Sequence, residues 1–164
     1  MTERLRVFVA ANAGCFERTL STGHVTGSAW VVDRKLEAAL LTHHRKLGRW
    51  LQLGGHADGD GDIRRVALRE AMEESGLSDI VPAWPEIYDI DVHDIPRGTE
   101  PAHVHYDIRF AFYADRADVL VPSDESHEVA WICLPDLERY GVDASVLRLR
   151  SKTAGLGRSS PSVI

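Results

Sequence analysis

Gly54-Gly55-His56-Ala57-Asp58-Gly59-Asp60-Gly61-Asp62-Ile63-Arg64-Arg65-Val66-Ala67-Leu68-Arg69-Glu70-Ala71-Met72-Glu73-Glu74-Ser75-Gly76-Leu77 sets a glycine- and aspartate-rich loop before a helix-forming run with three glutamates. A helix advances about 100° per residue, so Glu70, Glu73 and Glu74 fall within an arc of roughly 100°. Ala67, Leu68, Ala71 and Met72 cover the neighbouring arc, the small apolar face with which a helix lies against a sheet. Three carboxylates this close repel one another, and without a cation at least one is pushed to a raised pKa. A bound divalent metal resolves the repulsion. The plainer alternative is a solvated face on which Arg65 and Arg69 screen the glutamates at helical spacing.

The flanks define the helix. Asp62, or Asp60 beside it, supplies a carboxylate to cap the first turn. Gly76 stops the last turn, because it accepts positive φ. A calcium-binding loop is excluded by counting: from Asp58, the positions that need glycine and glutamate fall on Ile63 and Arg69.

Gly55 followed at a fixed distance by Arg69-Glu70-x-x-Glu73-Glu74-x-Gly76-Leu77 resembles the signature of the Nudix hydrolase family. One position departs from it: the isolated first glutamate of that signature falls on Gly61. The resemblance implies an α/β fold, an α/β/α sandwich around a mixed β-sheet. It also implies hydrolysis, with Mg²⁺ or Mn²⁺, of a phosphoanhydride in a nucleoside triphosphate or in a nucleoside diphosphate linked to another moiety.

Matched residue by residue, the resemblance makes Glu73 and Glu74 metal carboxylates and the Gly54 carbonyl a further ligand. Glu70 joins the metal set and matches the glutamate that deprotonates water, while Arg69 orients the glutamates by ion pairing. In the family a glutamate in the loop before a Trp-containing strand adds a ligand, which Glu125 or Glu128 matches here. Two other readings stay open: a non-catalytic nucleotide sensor, and a diphosphate isomerase of the isopentenyl type. The isomerase needs a cysteine just before the Gly-His pair, where Leu53 and Gly54 stand.

The chain has 164 residues, which is one domain, read as residues 1–150 with a mobile tail at 151–164. Its formal charge of −6 argues against nucleic acid as a partner, since phosphate backbones need clustered Lys and Arg. No stretch approaches the roughly 20 apolar residues that span a bilayer, and the run at Val7–Ala11 is too short for a secretory signal. Cys15 and Cys133 lack metal-ligand spacing, so a cytoplasmic setting is expected. The expected partner is a small nucleoside diphosphate derivative; a homodimer stays open.

Elsewhere the chain alternates short elements. Residues 2–11 fit a short helix, 23–32 and 38–42 fit paired strands, and 143–150 fit a helix. The basic run His43-His44-Arg45-Lys46 is read as a loop, with His43 and Arg45 as phosphate contacts beside His56. Period-two alternation puts Asp89, Asp91 and His93 on one strand face, and His103, His105, Asp107 and Arg109 on another. If these strands pair, their polar faces coincide. His93, His103, His105 and Asp107 then line a substrate pocket, form a hydrogen-bond network, or bind zinc.

Overall fold

Val25, Thr26, Trp30, Val31 and Val32 supply the β-branched and aromatic density that suits a buried strand. In the computed structural model, which describes residues 1–98, 101–124 and 126–158, they form β1 (Gly23–Asp33), buried along its whole length. It runs parallel to β7 (His103–Ala114), in register from Gly23↔Val104 to Asp33↔Ala114. This pair is the spine of a mixed sheet. On β1 also pair, both antiparallel, β2 (Ala38–His44) and β4 (Leu53–His56). Strands β3 (Arg49–Leu51) and β8 (Ser126–Cys133) pair with β2, and β5 (Val81–Pro82) and β6 (Asp89–Ile95) pair with β7.

Alternation divides the spine into two faces. Val25, Ala29 and Val31, with Tyr106, Ile108 and Phe112, pack with residues of α1 (Thr2–Ala11) and α2 (Ile63–Ser75). Phe8 of α1 stacks on Tyr106 with ring centroids 4.0 Å apart. Trp30, Val32 and Ala111 face the other way, onto Val146 and Leu149 of α3 (Ala144–Thr153). The result is the expected α/β/α sandwich. Helix α2 lies close because Gly27 has no side chain: a Cβ there would sit 3.0 Å from the Ile63 carbonyl oxygen and from Val66 Cγ1.

Four local readings are corrected. Helix α3 passes residue 150 and ends at Thr153, and Leu156 beyond it is buried in the α3-side core, so this part of the tail packs. Residues 159–164 lie outside the described part. The basic run does not start as a loop, because β2 continues to His44, paired with β3. Gly54 and Gly55 form a strand and not the start of the loop, since they pair with Ser28 and Gly27. Met72 points outward at 36% exposure, because Ile63, Val66, Ala67 and Ala71 form the buried stripe of α2. The helix ends are as read: Asp62 Oδ1 accepts the Arg65 N–H at 3.1 Å, and Gly76 sits at φ 74°.

Candidate active site

The three glutamates share an arc but not an environment. Glu74 lies in line with Ile63, Ala67 and Ala71, so it extends the buried stripe of α2 and is 8% exposed. Its Oε2 accepts the Gly54 N–H at 2.9 Å, tying helix to strand. Glu70 is half-buried, and its Oε1 accepts Arg69 Nη2–H at 2.6 Å. The same guanidinium donates to the His56 carbonyl at 3.1 Å, so Arg69 joins β4 to the glutamate helix as an orienting residue would. Glu73 stands outermost, its side chain 64% exposed, with Arg69 Nε 4.0 Å away.

Gly55 makes room for this arrangement, since a Cβ there would run into the Glu70 carboxylate. Burial, the largest influence, raises the pKa of Glu70 above its ordinary value; Arg69 opposes it, and Glu73 and Asp58 add to it. Buried carboxylates that disfavour their own charge are suited to a cation. Hard oxygen donors of this kind could hold a divalent metal ion.

These carboxylates open onto a cleft of about 510 Å³, lined also by Arg18, His44, Gly54, His56, His93, His105 and Asp107. Neither His43 nor Arg45 lines it. Because strand side chains alternate, His43 turns to the other side and stacks on Trp50 at 5.2 Å, while His44 reaches the cleft. Arg45 instead donates to the Ser126 carbonyl at 3.1 Å. Glu125 lies outside the described residues.

The far wall is the polar sheet face. Register pairs His93 with His105, Asp91 with Asp107 and Asp89 with Arg109, so the polar faces of β6 and β7 do coincide. Asp107 is buried and accepts from Thr26 Oγ1 at 3.0 Å, Ser28 Oγ at 2.8 Å and Arg109 Nε at 2.7 Å, which fits a scaffold residue. Arg109 is 1% exposed and also lies 3.5 Å from Asp91. Arg148 of α3 reaches Asp89 at 2.7 Å and Asp91 at 2.8 Å, so the network fastens α3 to the sheet.

At the cleft end of this face five imidazoles gather. His24 lies within 5.0 Å, ring to ring, of His56, His103 and His105, and His93 is 5.6 Å from His105. Burial, then the neighbouring histidines, pulls the His105 pKa down to about 3, so that ring is neutral. His93 moves the opposite way, raised chiefly by its 3.0 Å hydrogen bond with Asp91. His24 and Arg18 went unmarked in the sequence. The even positions of β1 could have signalled His24, given the parallel pairing with β7; nothing set Arg18 apart.

The NUDIX domain profile matches residues 23–149. The chain belongs to the Nudix family, and as an enzyme it falls with the Nudix hydrolases. No curated protein sequence matches it. Among solved structures it is similar to a C. elegans Ap4A hydrolase, at TM-score 0.65 and 15% identity over 82% of this chain and 97% of that one. A NUDIX family hydrolase from Clostridium perfringens gives 0.64 and 20%, over 81% and 97%. A MutT protein from Methanosarcina mazei gives 0.57 and 22%, over 85% and 96%. At these identities the likeness speaks for the fold.

Proposed function

We propose that the protein hydrolyses a phosphoanhydride bond in a nucleoside triphosphate, or in a nucleoside diphosphate linked to another moiety, with Mg²⁺ or Mn²⁺. The observation that carries this reading is the graded glutamate trio of α2, one buried, one half-buried and one exposed, opening onto a single cleft. When bound, the metal ion would supply charge neutralisation on the diphosphate oxygens and an oriented water. Glu73, Glu74, Glu70 and the Gly54 carbonyl are the residues to hold it.

Glu70 acts as general base: its raised pKa brings it closer to the proton it must accept, a role that contributes about 10²–10⁴-fold. Arg69 holds Glu70 in place and stays off the substrate. Arg18 and His44 offer donors to the phosphates from the cleft wall, and His56, His93 and His105 face the remainder of the substrate. Both cysteines are free thiols, which supports a reduced, cytoplasmic setting. No helix among the described residues is long and apolar enough to cross a membrane.

The test is phosphate release with Mg²⁺ across nucleoside triphosphates, dinucleoside polyphosphates and nucleotide sugars. Turnover of at least one is expected. Tight binding by calorimetry without turnover would favour the sensor reading, for which Gly61 in place of a glutamate is the one supporting feature.

A further inference from the structure

Three of the clustered histidines come from three adjacent strands. His24 stands on β1, His56 on β4 and His105 on β7, with His24 and His105 in direct register and His56 opposite Thr26. Period two along β1 keeps Thr26 on the same face as His24, so the register alone brings the three imidazoles together. One ring nitrogen of each lies within 4.8 Å of the other two. We propose that His24, His56 and His105 bind one transition-metal ion of the Zn²⁺ class, at a site distinct from the glutamates, with an open coordination position on the cleft.

Tetrahedral ligands at 2.0–2.1 Å from zinc stand about 3.3 Å apart. The nitrogens therefore need to approach by roughly 1.5 Å at most, a shift that ring rotation supplies. His24 is 1% exposed in the spine of the sheet, so the site is anchored on rigid backbone. His56 and His105 both line the cleft, which gives a fourth position access to water or a phosphate oxygen.

The tautomers fit as well. The Pro101 carbonyl can only accept, so His103 Nδ1 donates to it at 2.8 Å. In that tautomer His103 accepts at Nε2, and His105 Nε2–H donates to it at 3.1 Å. This relay leaves the Nδ1 lone pair of His105 for a cation. Ligating imidazoles are commonly tied down in this way through their second nitrogen. The bordering carboxylates are engaged elsewhere, Asp91 with His93 and Arg148, and Asp107 with Thr26, Ser28 and Arg109.

Ligand chemistry separates the two sites. Imidazole nitrogen suits zinc, cobalt and nickel, whereas Mg²⁺ takes oxygen. The proposal does not depend on the hydrolase reading, because it concerns binding alone.

The test uses the full chain, stripped with chelator and titrated with Co²⁺ in saturating Mg²⁺, read by calorimetry and visible absorption. One equivalent with a four-coordinate spectrum is expected. His56→Gln and His105→Gln should each weaken it by about tenfold or more, whereas Glu73→Gln should leave it unchanged. On the wild-type protein, so that no variant need fold, Co²⁺ should broaden the ring NMR signals of His24, His56 and His105 and spare His127. Absence of Co²⁺ binding, its displacement by Mg²⁺, its loss in Glu73→Gln, or broadening centred away from these three rings would each overturn the proposal.

Discussion

Glu74 Oε2 accepts the backbone N–H of Gly54 at 2.9 Å, joining the last turn of α2 to β4. A partly buried donor that loses its acceptor costs about 1–3 kcal/mol. Glu74→Ala should therefore lower stability by about that amount. Glu74→Gln keeps an oxygen in place and should unfold close to wild type while losing most activity. Denaturant titration of both variants, beside their rates, checks this.

Gly55→Ala places a methyl group against the Glu70 carboxylate. Overpacking of this kind costs about 1–3 kcal/mol. The displaced carboxylate is the proposed base, so the rate should fall even where the variant remains folded. A wild-type rate would show that Glu70 does not act from this position.

Gly61→Glu restores the residue that the Nudix signature carries. The nearest atom to a Cβ there is Phe16 Cε2 at 3.6 Å, an ordinary contact, and Gly61 is not among the positive-φ glycines. Stability should change by less than about 0.5 kcal/mol, with activity kept. A large loss of activity would mean that the glycine itself is required.

Acid should loosen α3. The His93 hydrogen bond, then Arg148 and Arg109, lowers the Asp91 pKa, and at Asp89 burial is outweighed by Arg148 and Lys152, so its pKa is lowered too. Folded carboxylates with depressed pKa values give stability that is present above the unfolded value of about 3.9 and lost as pH falls below it. Arg148→Met removes one cation from both. Melting temperatures of wild type and variant should differ at neutral pH, and the gap should begin to shrink below about pH 4 and close only as pH falls through the depressed folded values; a constant gap would exclude the ion pairs as the cause.

Legibility in the sequence followed the range of the interactions. Helix α2, its Asp62 cap, its Gly76 stop and the glutamate arc depend on neighbours a turn or two away, and all were readable. So was the coincidence of the β6 and β7 faces, because a hairpin fixes register through nearby residues. His24 was not, since its place beside His105 comes from a parallel pairing across 81 residues of chain. The basic run failed for a related reason: pairing with β3 and β8 extends β2 through polar residues whose local preference is for a loop. Met72 lies outside the buried stripe and Glu74 within it, because the side of α2 that docks, close against β1 at Gly27, was not in the helical period alone.

Glu73 offers the most direct test, because its side chain is 64% exposed and Glu73→Gln leaves the packing untouched. Mg²⁺-dependent phosphate release should be compared between wild type and this variant on whichever nucleotide turns over. If the carboxylates of α2 hold the metal, the rate falls by about 10²-fold or more, the several kcal/mol that a metal-bound transition state draws from its ligands. Full activity in Glu73→Gln, at unchanged Mg²⁺ dependence, would contradict the account.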